Sequence, residues 1–493
     1  MVSWPPGWDW PAPWPSCPAR SRLRWPGAVI IFVENRDGRG EGGCEMAQAT
    51  TSTEEFGDKG FLRRLTLATA WGEGLDGFDL GVLSVVLVPL SRELGISPVW
   101  AGLIGASSLI GIFFGAPIGG FLTDRFGRKQ LFLIDICLFV VFGVLQAFVT
   151  EGWQLFAVRL LLGIAIGAEY SIGSSMLSEF VPARRRGRRV SYMLVFWYGG
   201  YLVSVVAAYG LLEGLGWSWR ATLVTSAIPA LVVLGLRIGL PESPRWLMLH
   251  GRTDDARAII DRYLGGEEHM AEADYGSDTR NEAGWRQLFA PGMRSRFFFV
   301  CTFYICVVTP YFAIFTFAPK VFESLKLNEM TGTIFANSIA FIGAIVGMLT
   351  IELIGRRKQL IGPFWVMAAA LLVLGLWAGA PPMALVGAFA VFAFCNAVAG
   401  NLTAVYPIEV FPTEVRATGV GIANAVSRIG AAAGTFLLPV GIEAIGLPWC
   451  MVTGAAMCVI GAGVSQLLAP ETTGKSLSHT GAVAPLSPRI SPA

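Results

Sequence analysis

Asp76 and Asp79 stand three residues apart inside a long apolar stretch, and a second such stretch carries Arg159 and Glu169. Ionisable groups in a run of that kind are costly and mark functional positions. Three-residue spacing puts Asp76 and Asp79 on one face of a helix. An aspartate facing an arginine can alternate between pairing and protonation, because desolvation raises its pKa while the guanidinium lowers it. That competition suits a group that takes up and releases a proton; a static salt bridge is the other reading of the same residues. Glu73 lies further back in the same stretch, placed near the cytoplasmic entrance without an assigned role, and Asp135 in a third stretch reads as glue between helices.

These residues have to be positioned by apolar helices. The chain has 493 residues, 54% of them hydrophobic and 15% charged, with mean hydropathy +0.57. Soluble domains carry nearer a quarter charged residues. A bilayer core takes about 20 apolar residues per helix. Twelve candidate spans appear near 66–90, 99–122, 131–149, 153–178, 190–212, 220–240, 297–319, 332–354, 360–379, 384–406, 418–440 and 447–468. The expected organisation is an extension over 1–60 without regular structure, a six-helix bundle over 61–240, a cytoplasmic linker over 241–296, a second bundle over 297–470, and a cytoplasmic tail over 471–493. Met46 is a candidate start. In the linker, Asp254, Asp255, Arg257, Asp261 and Arg262 suggest a short amphipathic helix.

Arginine and lysine orient the spans. They crowd the loops after spans two, four and eight, with Arg125, Arg128 and Lys129, then Arg184, Arg185, Arg186, Arg188 and Arg189, then Arg356, Arg357 and Lys358. Both termini are then cytoplasmic. Net charge is +2 and the basic residues sit at span ends, so no nucleic-acid partner is expected. The histidines, His250, His269 and His479, all fall outside the spans, and no cysteine pair has metal-ligand spacing. Neither a metal nor an organic cofactor is expected.

The two halves repeat. Glu179-x-x-Pro182-x-x-x-Arg186 recurs as Glu409-x-x-Pro412-x-x-x-Arg416, Arg128-Lys129-Gln130-Leu131 as Arg357-Lys358-Gln359-Leu360, and Pro241-Glu242 as Pro470-Glu471. The offsets are 230, 229 and 229. Parallel duplicated halves place a binding site between them near mid-membrane.

The motifs themselves resemble the major facilitator superfamily, in its sugar-porter-like branch, over about 61–477. The carriers of the resemblance are Gly120-Phe-Leu-Thr-Asp124-Arg125-Phe-Gly127-Arg128-Lys129, Pro241-Glu-Ser-Pro-Arg245-Trp246-Leu247, Tyr406-Pro-Ile-Glu409-Val-Phe-Pro412-Thr-Glu-Val-Arg416 and Pro470-Glu-Thr-Thr-Gly474-Lys-Ser-Leu477. The resemblance implies an all-α membrane protein with the major facilitator fold, twelve transmembrane helices in two pseudo-symmetric six-helix bundles. It also implies alternating-access transport of a small solute in the cell (inner) membrane by a monomer, driven by the proton gradient. Asp124, Arg128, Lys129, Glu179, Arg186, Glu242, Arg245, Glu352, Arg356, Arg357, Glu409, Arg416 and Glu471 are the gating candidates. They can pair across neighbouring helices and between halves; the alternative is that they only fix topology.

In the proton–sugar symporters that the chain resembles, an aspartate after Gly-aromatic in span one pairs with an arginine in span four. Gly77-Phe78-Asp79 and Arg159-Leu-Leu-Leu-Gly163 match, so Asp79 is the expected proton acceptor, Arg159 its partner and Asp76 a second acid beside it. The positions where sugar porters carry glutamines and an asparagine fall on Leu194, Tyr201, Cys306, Val307 and Phe312. A sugar leaves many hydroxyls to be paired, so these residues argue against a hexose. Leu75-Asp76-Gly77-Phe78-Asp79 resembles the span-one motif of aromatic-acid/proton symporters. Gly167-Ala168-Glu169-Tyr170 resembles bacterial niacin and related metabolite transporters, and Asn424-Ala-Val-Ser-Arg428-Ile-Gly430 resembles that group and the organic-ion transporters. Expected substrate contacts are Glu169, Arg428, Tyr201 and Phe312, with Arg428 able to hold a carboxylate or to balance a nearby acid. The expected function is proton-coupled symport of an organic acid or related metabolite. A sugar–proton symporter and a non-transporting membrane sensor are the alternatives, and an enzyme is not expected.

Overall fold

Hydrocarbon offers no partner to a free N–H or C=O, so an apolar run that crosses it has to satisfy its backbone internally, as a helix. The computed structural model describes residues 21–25, 28–36, 42–46, 58–180, 183–264, 288–377, 379–411 and 413–472. Among the described residues, twelve helical segments are long and apolar enough to cross a membrane. The first half comprises α1 (Lys59–Leu94), α2 (Pro98–Phe126), α3 (Arg128–Leu145), α4 (Gly152–Phe180), α5 (Ala183–Tyr209) and a sixth crossing made of α6 (Trp219–Val224) and α7 (Ala227–Arg237). The break in the sixth crossing lies at Thr225 and Ser226, whose N–H groups bond three residues back, to Thr222 and Leu223. The second half comprises α10 (Arg294–Thr316) with the short α11 (Ala318–Ser324), then α12 (Glu329–Ile354), α13 (Arg356–Leu376), α14 (Pro382–Val410), α15 (Thr413–Ala444) and α16 (Leu447–Leu468).

The linker contains α8 (Pro244–Leu249) and α9 (Thr253–Tyr263). The second is the expected amphipathic helix. It buries Ala256 and Ile260, and Tyr263 packs on Phe61 at the start of α1 with ring centroids 4.3 Å apart. Residues 1–57 form a unit of their own. Where no regular structure was expected, its described residues form three antiparallel strands: β1 (Ser21–Trp25), β2 (Ala28–Arg36) and β3 (Gly42–Met46), in the order β1-β2-β3.

Glycines let the two halves build the same close contact twice. A Cβ at Gly115 of α2 would strike the backbone of Ile164 in α4, and one at Gly119 would strike Ala168. In the second half, Gly343 of α12 meets Phe394 of α14, and Gly347 meets Val398 and Asn401. Small residues of this kind allow transmembrane helices to pack backbone to backbone.

Candidate functional site

At the arginine-rich end each half ties its helix ends around one arginine. Arg128 pairs with Asp124 (3.2 Å) and Glu179 (3.3 Å), and one of its NH groups reaches the carbonyl of Thr123. The Glu242 carboxylate accepts from the backbone N–H groups of Arg128 and Lys129, and the Ser243 hydroxyl donates to Glu179. In the second half, Arg356 pairs with Glu352 (2.8 Å) and Glu409 (2.9 Å) and reaches the carbonyl of Ile351. Glu471 accepts from the N–H groups of Arg356 and Arg357, and the Thr472 hydroxyl donates to Glu409 at 2.5 Å. These pairs all lie within a half. Arg245 is among the charges acting on Glu179. The side chains of Arg186 and Arg416 lie outside the described residues.

The equivalence of the two clusters corrects the repeat register. Arg128 corresponds to Arg356, not to Arg357. Gly127 (φ 98°) and Gly355 (φ 90°) sit in the same left-handed turn and set that register, so the four-residue match read from sequence is one residue out of step. Burial of Glu179 pushes its carboxyl above the ordinary glutamate value, against the pull of Arg128, Ser243 and Arg245.

The middle of the first half is charged. Arg159 donates to Asp79 at 2.9 Å and to Gln146 Oε1 at 2.8 Å, with both ends of the ion pair buried. Asp79 Oδ1 has no hydrogen-bond partner, and neither oxygen of the fully buried Asp76 has one. The spacing on α1 and the span-four arginine are thus brought together as expected. Glu169 is not where it was expected. Instead of facing a substrate, it bonds Arg237 of α7, which also holds Asp135 of α3 at 3.2 Å. A buried carboxylate next to a buried guanidinium is held by the pair. Asp135 is the helix glue it was read to be. Arg237, which sequence reasoning passed over, is the partner that organises both; its signal was an arginine just inside the end of span six.

Between the halves lies a cavity of about 370 Å³. Tyr170, Trp197, Tyr198, Tyr304, Tyr311 and Phe312 supply its aromatic wall, and Asn396, Asn424 and Ser427 its neutral polar groups. The Tyr311 hydroxyl has no hydrogen-bond partner. Arg428 enters from α15, with its guanidinium 5.2 Å from the Tyr170 ring centroid and 5.7 Å from that of Phe312, and its Nε has no hydrogen-bond partner. Glu73 lines the same cavity from the first half, a role that its position in sequence did not reveal. Of the expected contacts, Phe312 and Arg428 are in the wall. Tyr201 is not: it lies one turn beyond Trp197 and Tyr198, buried, and donates to the carbonyl of Phe315 across the halves at 3.1 Å.

The lining runs toward the arginine-rich end through Thr403, Ala404, Ile408 and Val420. At the opposite end the halves close on each other. There Gly102 packs on the backbone of Phe436, Gly105 on Phe317 and Thr435, and Arg92 reaches Glu323 at 3.4 Å.

The pattern that defines the sugar (and other) transporter family matches residues 45–483. The inner membrane metabolite transport protein YgcS of Escherichia coli is 34% identical over 86% of this chain and 94% of its own. The niacin transporter NiaP of Acinetobacter baylyi is 26% identical over 83% of this chain and 95% of its own. The inward-open structure of the xylose transporter XylE from E. coli superposes with a TM-score of 0.72, at 22% identity, over 85% of this chain and 99% of that one, which is a likeness of fold.

Proposed function

Because the chain belongs to the sugar (and other) transporter family and has, among the described residues, twelve helices long and apolar enough to cross a membrane, we propose that it is a proton-coupled symporter of a small organic acid. Arg428 carries this reading: a cation with an unpartnered Nε near two aromatic rings, in a mostly aromatic cavity wall where Glu73 is the acid it acts on and Asn396, Asn424, Ser427 and Thr403 are the neutral polar groups. A planar acid offers such a site a carboxylate for charge-assisted bonding and a face for the rings. The niacin transporter among the relatives supports an aromatic acid. Arginine-rich loops favour the cytoplasmic side, so we place both termini in the cytoplasm, the protein in the inner membrane, and the described state as inward-open. A monomer holds the whole site.

Asp79 and Arg159 supply the proton step, with Asp76 as the neighbouring acid. Protonation of Asp79 releases Arg159 from its buried pair and permits the helices α1 and α4 to move; loss of the proton restores the pair. Substrate and proton together then bias one of two states of the same molecule. The gating clusters hold each half rigid as the halves rock. Counterflow of labelled nicotinate, benzoate and xylose in proteoliposomes tests the reading. Exchange of the acids with no exchange of xylose is the expected result. Exchange of xylose alone favours the sugar reading, and exchange of none contradicts transport of either class.

A further inference from the structure

Asp135, Glu169 and Arg237 take no part in the proton step above, yet they meet where α1, α3, α4 and α7 converge. Arg237 is buried with its guanidinium over the Phe132 ring, 3.6 Å from the centroid, and it donates to the Phe132 carbonyl at 2.9 Å. Its NH1 lies 3.2 Å from both oxygens of Asp135, and its NH2 bonds Glu169 Oε1. The Asp135 and Glu169 carboxyls are thus held on one buried guanidinium. Two ionised carboxylates against a single arginine leave a net negative charge in the interior, which a proton on one of them relieves.

A third acid looks into the same place. α1 passes the cluster at Gly72, where a Cβ would strike the Glu169 carboxylate and the Arg237 guanidinium. Asp76 is one helical turn further on the same face, fully buried, with both oxygens unpartnered. Glu169 Oε2 and Arg237 Nε are unpartnered as well. The charged and titratable groups around Asp76 are Glu73 and Asp79 on α1, Glu169 and Tyr170 on α4, and Arg237 on α7. Arg159 reaches Asp79, and Arg428 of α15 acts on Glu73. One guanidinium thus bonds two buried carboxyls and leaves the third, Asp76, without a partner, and net negative charge in a low-dielectric interior is relieved by binding protons.

We propose that Asp135, Glu169 and Arg237 form a second proton-binding site, in which the two carboxyls share one proton and Asp76 exchanges it with the Asp79–Arg159 pair. When Asp76 takes the proton from Glu169, the Glu169 carboxylate is left to pair fully with Arg237. The binding of this proton is independent of what the transporter carries; only its exchange with Asp79 rests on the proton step proposed above.

Infrared difference spectroscopy of the reconstituted full-length protein, between mildly alkaline and mildly acidic buffer, tests this. The reporter is the C=O band of a protonated carboxylic acid. Asp79→Asn retains such a band, and adding Glu169→Gln or Asp135→Asn to it abolishes or shifts the band. Either of these two near-isosteric changes suffices if the other does not fold. No such band in Asp79→Asn, or a band that neither change moves, overturns the second site. Substrate-driven proton uptake by Asp79→Asn is measured in the same vesicles. If uptake persists while the band behaves as stated, the second site stands and the Asp79 step fails.

Discussion

The two halves are alike at their ends and unlike in their middles. At the arginine-rich end Asp124, Arg128, Glu179, Glu242 and Ser243 are matched partner for partner by Glu352, Arg356, Glu409, Glu471 and Thr472. Inside the bilayer the first half holds Asp79–Arg159 and Asp135–Arg237–Glu169. The interior of the second half uses amides instead: Asn401 donates to Ala344 O, Gln359 to Gly347 O and Asn396 to Val307 O. Helix ends meet the same requirement in both halves, namely orphan backbone groups and a tight turn beside water, so duplication is kept there. The interiors were free to diverge, and the first took up charge while the second presents one cation, Arg428, to the cavity.

The largest way to break this contrast is to remove the charge chemistry from the first half. Asp79→Asn is expected to abolish substrate-driven proton uptake, followed by a pH dye inside proteoliposomes, while Asn396→Ala in the second half leaves coupling intact. Removing the other partner costs fold stability: Arg159→Leu strands Asp79 in the interior, a loss of about 3–5 kcal/mol by the precedent of broken buried pairs, read as a lower melting temperature in detergent. Next comes substrate. Arg428→Ala removes a charge-assisted contact of about 1.5–3 kcal/mol, so the half-saturating concentration of a carboxylate rises roughly tenfold to a hundredfold. Its neutral amide analogue changes little.

The smallest effect belongs to the ends. Glu179→Gln is expected to shift the inward/outward ratio about threefold or less, because its largely buried pair with Arg128 lies within one half and so differs little between the two states, as read by cysteine accessibility on the two sides. Because burial raises the Glu179 carboxyl above the ordinary value, it is neutral at low pH and its ion pair with Arg128 is complete only above that raised pKa. Acidification therefore weakens the pair at a higher pH than an unperturbed glutamate would, and the pH dependence of the ratio diminishes in Glu179→Gln.

Much of this was legible in the chain. Length and hydropathy place the twelve spans, and three-residue spacing puts Asp76 and Asp79 on one face. The facing partner is harder to read, because spacing assigns a residue to a side of its own helix and says nothing of the helix packed against it. Glu169 looked free to meet a substrate until α7 placed Arg237 beside it, and Glu73 acquired a place in the cavity wall only when α1 was set against the second half. Tyr201 failed for a simpler reason: its face is correct but its height is one turn too far toward the closed end. The repeat register slipped because identical side chains lined up at one offset, whereas the left-handed glycines that govern the turn lie at another.

The most direct test is to follow solute and proton together in proteoliposomes of the unaltered protein, with labelled nicotinate or benzoate outside and a pH dye inside. The expected result is acidification of the lumen that begins with solute entry and scales with it. Entry of the acid with no change in lumenal pH, or acidification driven by xylose and not by the acids, contradicts a charged first half that carries protons for a cation-lined organic-acid site.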